Sequence, residues 1–193
     1  MSRKRCGWVE GQFPEYINYH DTEWGVPVHN DRVHFEFLIL EGAQAGLSWS
    51  TILKRREGYR NAFADFNPEE VARFDEAKVQ ELKQNPAIIR HELKIRSAIS
   101  NARHFLDIQN EFGSFETYVW QFVGGEPIVN HWESIKEVPA TTKESEALSK
   151  DLKKRGFKFV GSTIIYAYMQ ACGLVMDHTK DCFRYQEILN LEH

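Results

Sequence analysis

The sequence predicts an all-α fold, on three observations. Helix start and stop signals recur from Asn30 onward. Apolar residues from Ile88 to Phe105 repeat at mostly helical spacing, and the alternation typical of half-buried strands is almost absent. A chain of 193 residues with 42% hydrophobic content is enough for one core of ordinary size. We therefore expect one domain over residues 1–190.

The first thirty residues differ from the rest, because they are aromatic and lack a regular repeat. Five aromatic residues stand out: Trp8, Phe13, Tyr16, Tyr19 and Trp24. We expect this segment to pack onto the helices without being helical throughout.

Later helices carry their own boundary signals. Asn67 followed by Pro68 reads as an N-cap and a first-turn proline, so a helix should begin there. Thr141 with Glu144 fits a capping box, and the helix it opens should end at Gly156. A further helix should run from about Ser162 to about Gly173.

Composition limits the possible classes of protein. No apolar run reaches the roughly 18 residues that span a bilayer, and the N-terminus has no signal-peptide pattern. We expect a cytoplasmic protein with no membrane partner.

Three cysteines make a disulfide framework improbable in that compartment. The net charge of -4 argues against indiscriminate coating of DNA. Residues 191–193 resemble the remnant of an expression tag.

The densest basic stretch precedes a glycine-bracketed turn, within a helix–turn–helix pattern at about 150–173. A charge run of this kind is usually a solvated helix face. The turn from Gly156 to Gly161, however, presents backbone N–H groups at the start of the next helix, where phosphates bind well. The pattern resembles a helix-hairpin-helix motif, with an ordinary turn as the alternative. The residues predicted to contact DNA are Lys153, Arg155, Gly156, Lys158, Gly161, Ser162 and Thr163.

Glu41 is the carboxylate that most needs an explanation. On a helix it shares a face with Phe37 and Leu38, where an unpaired charge is costly to bury. The alternative is a glutamate at the edge of that face that reaches solvent.

Thiols and imidazoles of the kinds that zinc prefers occur near both ends of the chain, at Cys6, His20, His178 and Cys182. Spacing alone favours scattered histidines and small buried cysteines. Cys172, within an apolar helix, is better explained by packing.

Read together, three distant stretches resemble the bacterial 3-methyladenine DNA glycosylase I (Tag) family, in the same order and over nearly the whole chain. They comprise Arg5–Trp8 with Tyr19–Pro27, then Leu40–Trp49, then Lys153–Gly161 with Met169–Gly173 and Asp177–His178. The resemblance implies a helix-hairpin-helix glycosylase fold, a bound zinc, and excision of a cationic alkylated purine from double-stranded DNA. Free 3-methyladenine would be the product and the enzyme a monomer.

The resemblance also assigns residues. Cys6, His20, His178 and Cys182 match the family's zinc ligands, so one structural zinc would tie the irregular N-terminal segment to the C-terminal end. Glu41 would hold the cationic base as the catalytic group. Tyr19 and Trp49 would stack on the flipped base, because aromatic faces attract cationic rings. Trp8 and Trp24 would lie near the pocket, with a core role as the alternative.

Some assignments stay open. Asp177 follows the hairpin at about the distance where many helix-hairpin-helix glycosylases carry an aspartate, and it is our second choice after Glu41. Ser162 and Thr163 stand where a lyase would carry a lysine, so we expect monofunctional hydrolysis. The competing interpretations are a non-catalytic zinc-stabilised DNA-binding domain, a Cys/His nucleophile enzyme, and a glycosylase of different lesion specificity.

Overall fold

The computed structural model describes residues 3–191, and most of that range is helical. The α-helices are α1 (Pro14–Thr22), α2 (Asp31–Gln44), α3 (Trp49–Leu53), α4 (Arg56–Ala62), α5 (Pro68–Val71), α6 (Glu76–Lys83), α7 (Glu92–Phe112), α8 (Phe115–Trp120), α9 (Lys143–Lys154), α10 (Ser162–Ala171) and α11 (Phe183–Leu189). Single 3-10 turns occur at Gly7–Val9, Ala64–Phe66, Gln121–Val123 and Ile135–Glu137. Residues 192 and 193 of the predicted tag remnant lie outside the described residues.

The predicted all-α class is confirmed in the main, with one small addition. Two-residue strands, β1 (Ile128–Val129) and β2 (Val175–Met176), pair in parallel. They are too short to produce an alternating pattern, so the sequence did not indicate them. Between residues 3 and 191 no helix is both long and apolar enough to cross a membrane.

Helix α2 runs through the core, with every residue from His34 to Ala43 buried. It packs against α3, α7, α8 and α10. The Asn30 side chain caps its start by accepting hydrogen bonds from the N–H groups of Arg32 and Val33. A helix buried on all sides carries its polar residues into the interior, and Glu41 is one of them.

Of two predicted helix starts, the structure has one as predicted and places the other later. Asn67 caps the single turn of α5, as predicted. The long helix α7 instead begins at Glu92 behind the N-cap His91, so the prediction that it reaches back to Ile88 is wrong. Ile88 is buried in the preceding turn, and burial alone explains its apolar character.

The capping box of α9 lies one residue later than predicted. Thr142 caps the helix, and its N–H donates to Ser145 Oγ at 2.9 Å while the Ser145 N–H donates to Thr142 Oγ1 at 3.2 Å. Gly156 ends the helix as predicted, with φ +97°. A Cβ there would lie 2.7 Å from His104 Nε2, so only glycine fits.

The N-terminal segment is partly helical, since it contains α1, and it lies against the C-terminal end of α10. The N–H groups of Gly25 and Val28 donate to the carbonyls of Gln170 and Cys172, at 3.0 and 2.9 Å. The approach is close: a Cβ at Gly173 would lie 2.3 Å from the Val26 carbonyl carbon. The two ends of the chain are thereby brought together.

Candidate active site and metal centre

A pocket of about 250 Å³ opens where the N-terminal segment meets α2, α3 and α10. Its walls are mostly aromatic, with one carboxylic acid and two amides among them. The lining residues are Trp8, Tyr16, Tyr19, Trp24, Glu41, Gln44, Trp49, Ile135, Ala167 and Gln170. A pocket of this size and character accommodates a flat heterocycle.

Glu41 is the carboxylic acid of the pocket lining, and it is only 4% exposed. Burial raises the pKa of its carboxyl to about 8. Its side chain forms no hydrogen bond with any residue of the range 3–191, and no cation faces it. The structure therefore holds a buried acid that lacks a partner in the protein itself.

The aromatic residues around Glu41 form one cluster. The rings of Tyr19 and Trp49 lie with centroids 5.3 Å apart, and those of Trp8 and Trp24 with centroids 5.0 Å apart. Burial first, and then the Glu41 charge, raises the pKa of Tyr19. The surroundings of Glu41 are thus apolar on several sides, which strengthens any electrostatic interaction formed there.

The pocket brings together all five residues predicted to bind the base, Trp8, Tyr19, Trp24, Glu41 and Trp49. Sequence reasoning did not assign Tyr16, Gln44, Ile135, Ala167 or Gln170 to it. Tyr16 stands three residues before Tyr19 on α1, and that helical spacing was an available signal. Ile135 carried none, because it comes from a stretch without distinctive pattern.

A second cluster lies beside the pocket and contains Cys6, His20, His178 and Cys182, all buried. Their ligating atoms lie within 4.8 Å of one another. Cys182 Sγ is 3.5 Å from both His20 Nε2 and His178 Nδ1, and Cys6 Sγ is 3.4 Å from His178 Nδ1. This cluster could hold a metal ion.

The histidine rings are oriented for that role. His20 Nδ1 lies 2.7 Å from Asp21 Oδ1, and His178 Nε2 lies 2.8 Å from the Trp24 carbonyl oxygen. Both acceptors bind the ring nitrogen that faces away from the cluster, so the other nitrogen is left with a lone pair directed inward. Two thiols and two imidazoles are donor types that bind transition-metal ions in proteins.

Asp177 lies outside the pocket, fully buried, and it is saturated with donors. Oδ1 accepts from Asn130 Nδ2 at 2.7 Å and from Trp132 Nε1 at 2.8 Å. Oδ2 accepts from Gln170 Nε2 at 2.9 Å and from the Tyr166 hydroxyl. A carboxylate with four donors has no lone pair left for a substrate, so its geometry suits a structural role.

The predicted DNA-contacting residues lie around the turn between α9 and α10. Lys153 and Ser162 line a shallow cleft beside Lys150, and Lys158 and Thr163 are exposed. The N-cap of α10 is Gly161, which has no side chain to bind the first amides of the helix. Those amides remain available to an anion.

Arg155 differs from the other basic residues of the turn. Its guanidinium pairs with Asp151 and Glu111, each at 2.7 Å, and lies over the rings of Phe112 and Tyr118. These contacts explain a role in packing α9 against α7 and α8. The guanidinium is therefore already paired within the protein, and the DNA contact of Arg155 stays a prediction.

A further cavity joins the pocket to the hairpin. It shares Glu41, Gln44 and Ala167 with the aromatic pocket, and it is bordered by Thr163 at the start of α10. The N-terminal turn of α10 and the buried carboxyl therefore face one continuous groove.

Comparisons with known proteins agree with this geometry. The model of the Methyladenine glycosylase family matches residues 8–185. DNA-3-methyladenine glycosylase 1 of Escherichia coli (strain K12) is 52% identical over 182 residues, which are 94% of this chain and 97% of that protein. The Haemophilus influenzae DNA-3-methyladenine glycosylase is 46% identical over 178 residues, 92% of this chain and 96% of that protein.

Solved structures give the same result. The crystal structure of a variant 3-methyladenine DNA glycosylase I in complex with 3-methyladenine superposes with a TM-score of 0.90 at 37% sequence identity. The match covers 93% of this chain and 96% of that chain. The chain belongs to the methyladenine glycosylase family.

Proposed function

We propose that this protein is a base-excision repair glycosylase that hydrolyses the N-glycosidic bond of 3-methyladenine in alkylated double-stranded DNA. One observation carries the proposal: Glu41 is a buried acid with no partner among residues 3–191, in a pocket lined by aromatic rings. Such a site suits a flat cation. The names of the relatives, and the relative with 3-methyladenine bound, support the choice of that lesion.

The positive charge of the alkylated base would determine its recognition by Glu41. In the empty pocket the raised pKa of about 8 keeps Glu41 mostly protonated at neutral pH. An alkylated adenine ring bears a delocalised positive charge and N–H donors, so its arrival favours the carboxylate form. A neutral adenine offers no such compensation. Tyr19 and Trp49 add stacking on the ring, worth roughly 0.5–2 kcal/mol for a cation over an aromatic face.

The base would leave the duplex, because the glycosidic bond of a paired base is inaccessible to groups in a protein pocket. A methylated base pairs poorly and is therefore easier to extrude. Once flipped, the cationic base departs with the electron pair of its glycosidic bond and becomes neutral. Water adds to the sugar carbon and releases a proton. Glu41, at the junction of the two cavities, stabilises the positive charge in the pocket throughout.

The hairpin would hold the backbone of the DNA without reading its sequence. Lys153 and Lys158 contribute charge, and the amides of Gly161, Ser162 and Thr163 offer donors at the N-terminus of α10. Gly156 permits the turn. This is the arrangement of a helix-hairpin-helix motif. Since no lysine lies directly after the hairpin, hydrolysis would proceed without lyase chemistry.

Cys6, His20, His178 and Cys182 would hold one zinc ion. The ion would contribute stability by joining the two ends of the chain, since four protein ligands leave no position for a reacting water. Its ligands also support the pocket wall. The Trp8 ring lies 5.1 Å from that of His20, and the Trp24 ring 4.7 Å from that of His178.

Base release under single-turnover conditions tests the proposal. The purified parent should liberate free 3-methyladenine from methylated duplex DNA. The Glu41→Gln variant should bind DNA normally, yet bind the base about ten- to a hundredfold more weakly and excise it more slowly, because a charge-assisted hydrogen bond is lost. Glu81→Gln, on the exposed surface of α6, is the matched control and should behave like the parent. A folded parent that releases no base would contradict the proposal.

A further inference from the structure

Gln170 borders the aromatic pocket, and its position is held more tightly than that of the other pocket amide. Its backbone carbonyl oxygen accepts a hydrogen bond from the Gly25 N–H at 3.0 Å, and its side-chain nitrogen donates to Asp177 Oδ2 at 2.9 Å. The second amide, Gln44, forms no side-chain hydrogen bond with the described residues 3–191. Gln170 therefore has a fixed orientation where Gln44 can rotate.

The chemistry of Asp177 decides which end of the Gln170 amide faces it. Trp132 Nε1 and Asn130 Nδ2 donate to Oδ1, and Tyr166 donates to Oδ2. A carboxylate bound in this way is only an acceptor, so the Gln170 atom beside it must be the nitrogen. The amide oxygen of Gln170 accepts no hydrogen bond from the described residues 3–191, so it is the acceptor that Gln170 has left for the pocket.

An acceptor at this place discriminates between purines. The exocyclic group of an adenine is an amine, which donates, whereas that of a guanine is an oxygen, which repels a second oxygen. Glu41 in its ionised form is also an acceptor, so two acceptors on α2 and α10 border the same space. A 6-oxo base would leave both acceptors facing its own lone pairs, which a buried site tolerates poorly.

We propose that Gln170, oriented by Asp177, is a specificity-determining residue that selects an alkylated 6-aminopurine over an alkylated 6-oxopurine. Asp177 is then a positioning residue, which acts on the base only through Gln170. The inference rests on the proposed glycosylase function and extends it to the choice between 3-methyladenine and 3-methylguanine.

The first test removes the acceptor. Gln170→Met has nearly the same size and no amide, so it should lower the ratio of 3-methyladenine to 3-methylguanine excision about tenfold in the same methylated DNA. Gln80→Met is the matched control, because it removes an amide on the exposed surface of α6, outside the pocket. Its excision ratio should stay that of the parent.

The second test reverses the amide. Asp177→Asn introduces one donor, which should face Gln170 and Tyr166, because the Trp132 indole N–H can only donate while the Tyr166 hydroxyl can also accept. The Gln170 amide would then turn its nitrogen to the pocket. We expect the excision ratio to fall below that of Gln170→Met, with 3-methylguanine excised faster than by the parent. A purely structural defect would instead slow both excisions by the same factor.

The inference is overturned if the parent shows no preference, if Gln170→Met leaves the ratio unchanged, or if Gln80→Met lowers it equally. Thermal unfolding and metal content verify that the variants are folded, and if Asp177→Asn fails to fold, the Gln170→Met ratio decides. A parent that releases neither base refutes the glycosylase function itself, an outcome distinct from an active parent with unaltered selectivity in the variants.

Discussion

Glu41 is a buried acid whose ionisation destabilises the unbound protein. Burial raises the pKa of the carboxyl to about 8, and no partner within residues 3–191 offsets the cost of ionising it. A second acid, Glu36, lies five residues earlier on α2 and is also buried, but it pairs with Arg56 at 2.7 Å and Arg60 at 3.3 Å. The two acids therefore have opposite effects on the unbound fold.

We predict that Glu41→Gln stabilises the unbound protein at alkaline pH. A carboxyl whose folded pKa is raised contributes stability that is complete below its unfolded pKa near 4.5 and is lost as pH rises through about 8. The variant lacks this loss, so its advantage should grow from near zero at pH 4.5 to on the order of 4 kcal/mol at pH 8. Denaturant unfolding across that pH range measures the difference.

Glu36→Gln serves as the control, because it removes a buried acid of the same helix that has partners. We expect it to be less stable than the parent at neutral pH, since the part-buried Arg56 would lose one of its two carboxylate partners and keep only Glu23. Equal pH profiles for the parent and Glu41→Gln would show that the Glu41 carboxyl is not perturbed by burial.

The hairpin between α9 and α10 is held from behind by α7. The Asn101 side chain accepts from the Lys158 N–H at 2.9 Å and donates to the Lys158 carbonyl at 3.0 Å. Ser149 Oγ donates to the Val160 carbonyl at 2.6 Å, and Phe157 is buried beneath the turn. The backbone of the turn is thus fixed while the Lys158 side chain is exposed.

Two variants separate the contribution of the Lys158 charge to DNA binding from that of the geometry of the turn. Lys158→Ala should weaken binding to damaged and undamaged duplexes alike and reduce the slope of log K against log salt by about one. Asn101→Ala should weaken binding while leaving that slope unchanged, because it removes two backbone contacts and no charge. It should also lower the free energy of unfolding by about 1–2 kcal/mol.

Lys143→Ala, at the opposite end of α9, is the matched control for charge and should bind DNA like the parent. Titrations at several salt concentrations distinguish the three variants. A loss confined to lesion DNA in Lys158→Ala would place that lysine in base recognition and remove the hairpin from the DNA interface.

On the scale of the whole molecule, the Cys/His cluster is where both ends of the chain meet. Cys6 and His20 come from the N-terminal segment, and His178 and Cys182 from the segment after α10. A ligand set with such a long sequence separation constrains the unfolded chain strongly when a metal is bound. Because Trp8 and Trp24 pack on the two histidines, the cluster also supports the pocket.

We predict about one zinc per chain, and its removal should lower the unfolding temperature by several degrees or more. Cys6→Ala should lose the metal, and the tryptophan fluorescence should change as Trp8 and Trp24 lose their support. Cys172→Ala is the matched control: that thiol is fully buried outside the cluster, so the variant should keep its zinc. Elemental analysis showing full zinc in a Cys6→Ala, His178→Ala double variant would exclude this ligand set.

The sequence by itself determined the helical class and several helix ends, because these depend on local chemistry. Asn67, Gly156 and the start of α10 were read correctly from capping and turn residues. Glu41 could be singled out since an acid on an apolar helix face conflicts with its surroundings. The metal ligands were identified only through the family resemblance, as their spacing specifies little.

Tertiary structure alone decided which polar groups are already satisfied. Asp177 and Arg155 looked available in the sequence, yet one accepts four hydrogen bonds and the other pairs with two carboxylates. Three of those partners, Glu111, Asn130 and Trp132, lie 44 to 47 residues away in the sequence. The orientation of Gln170 depends on the same contacts. The chemistry of a side chain in a folded protein depends on neighbours that only the packing of helices brings together. A local sequence pattern does not show which neighbours these are.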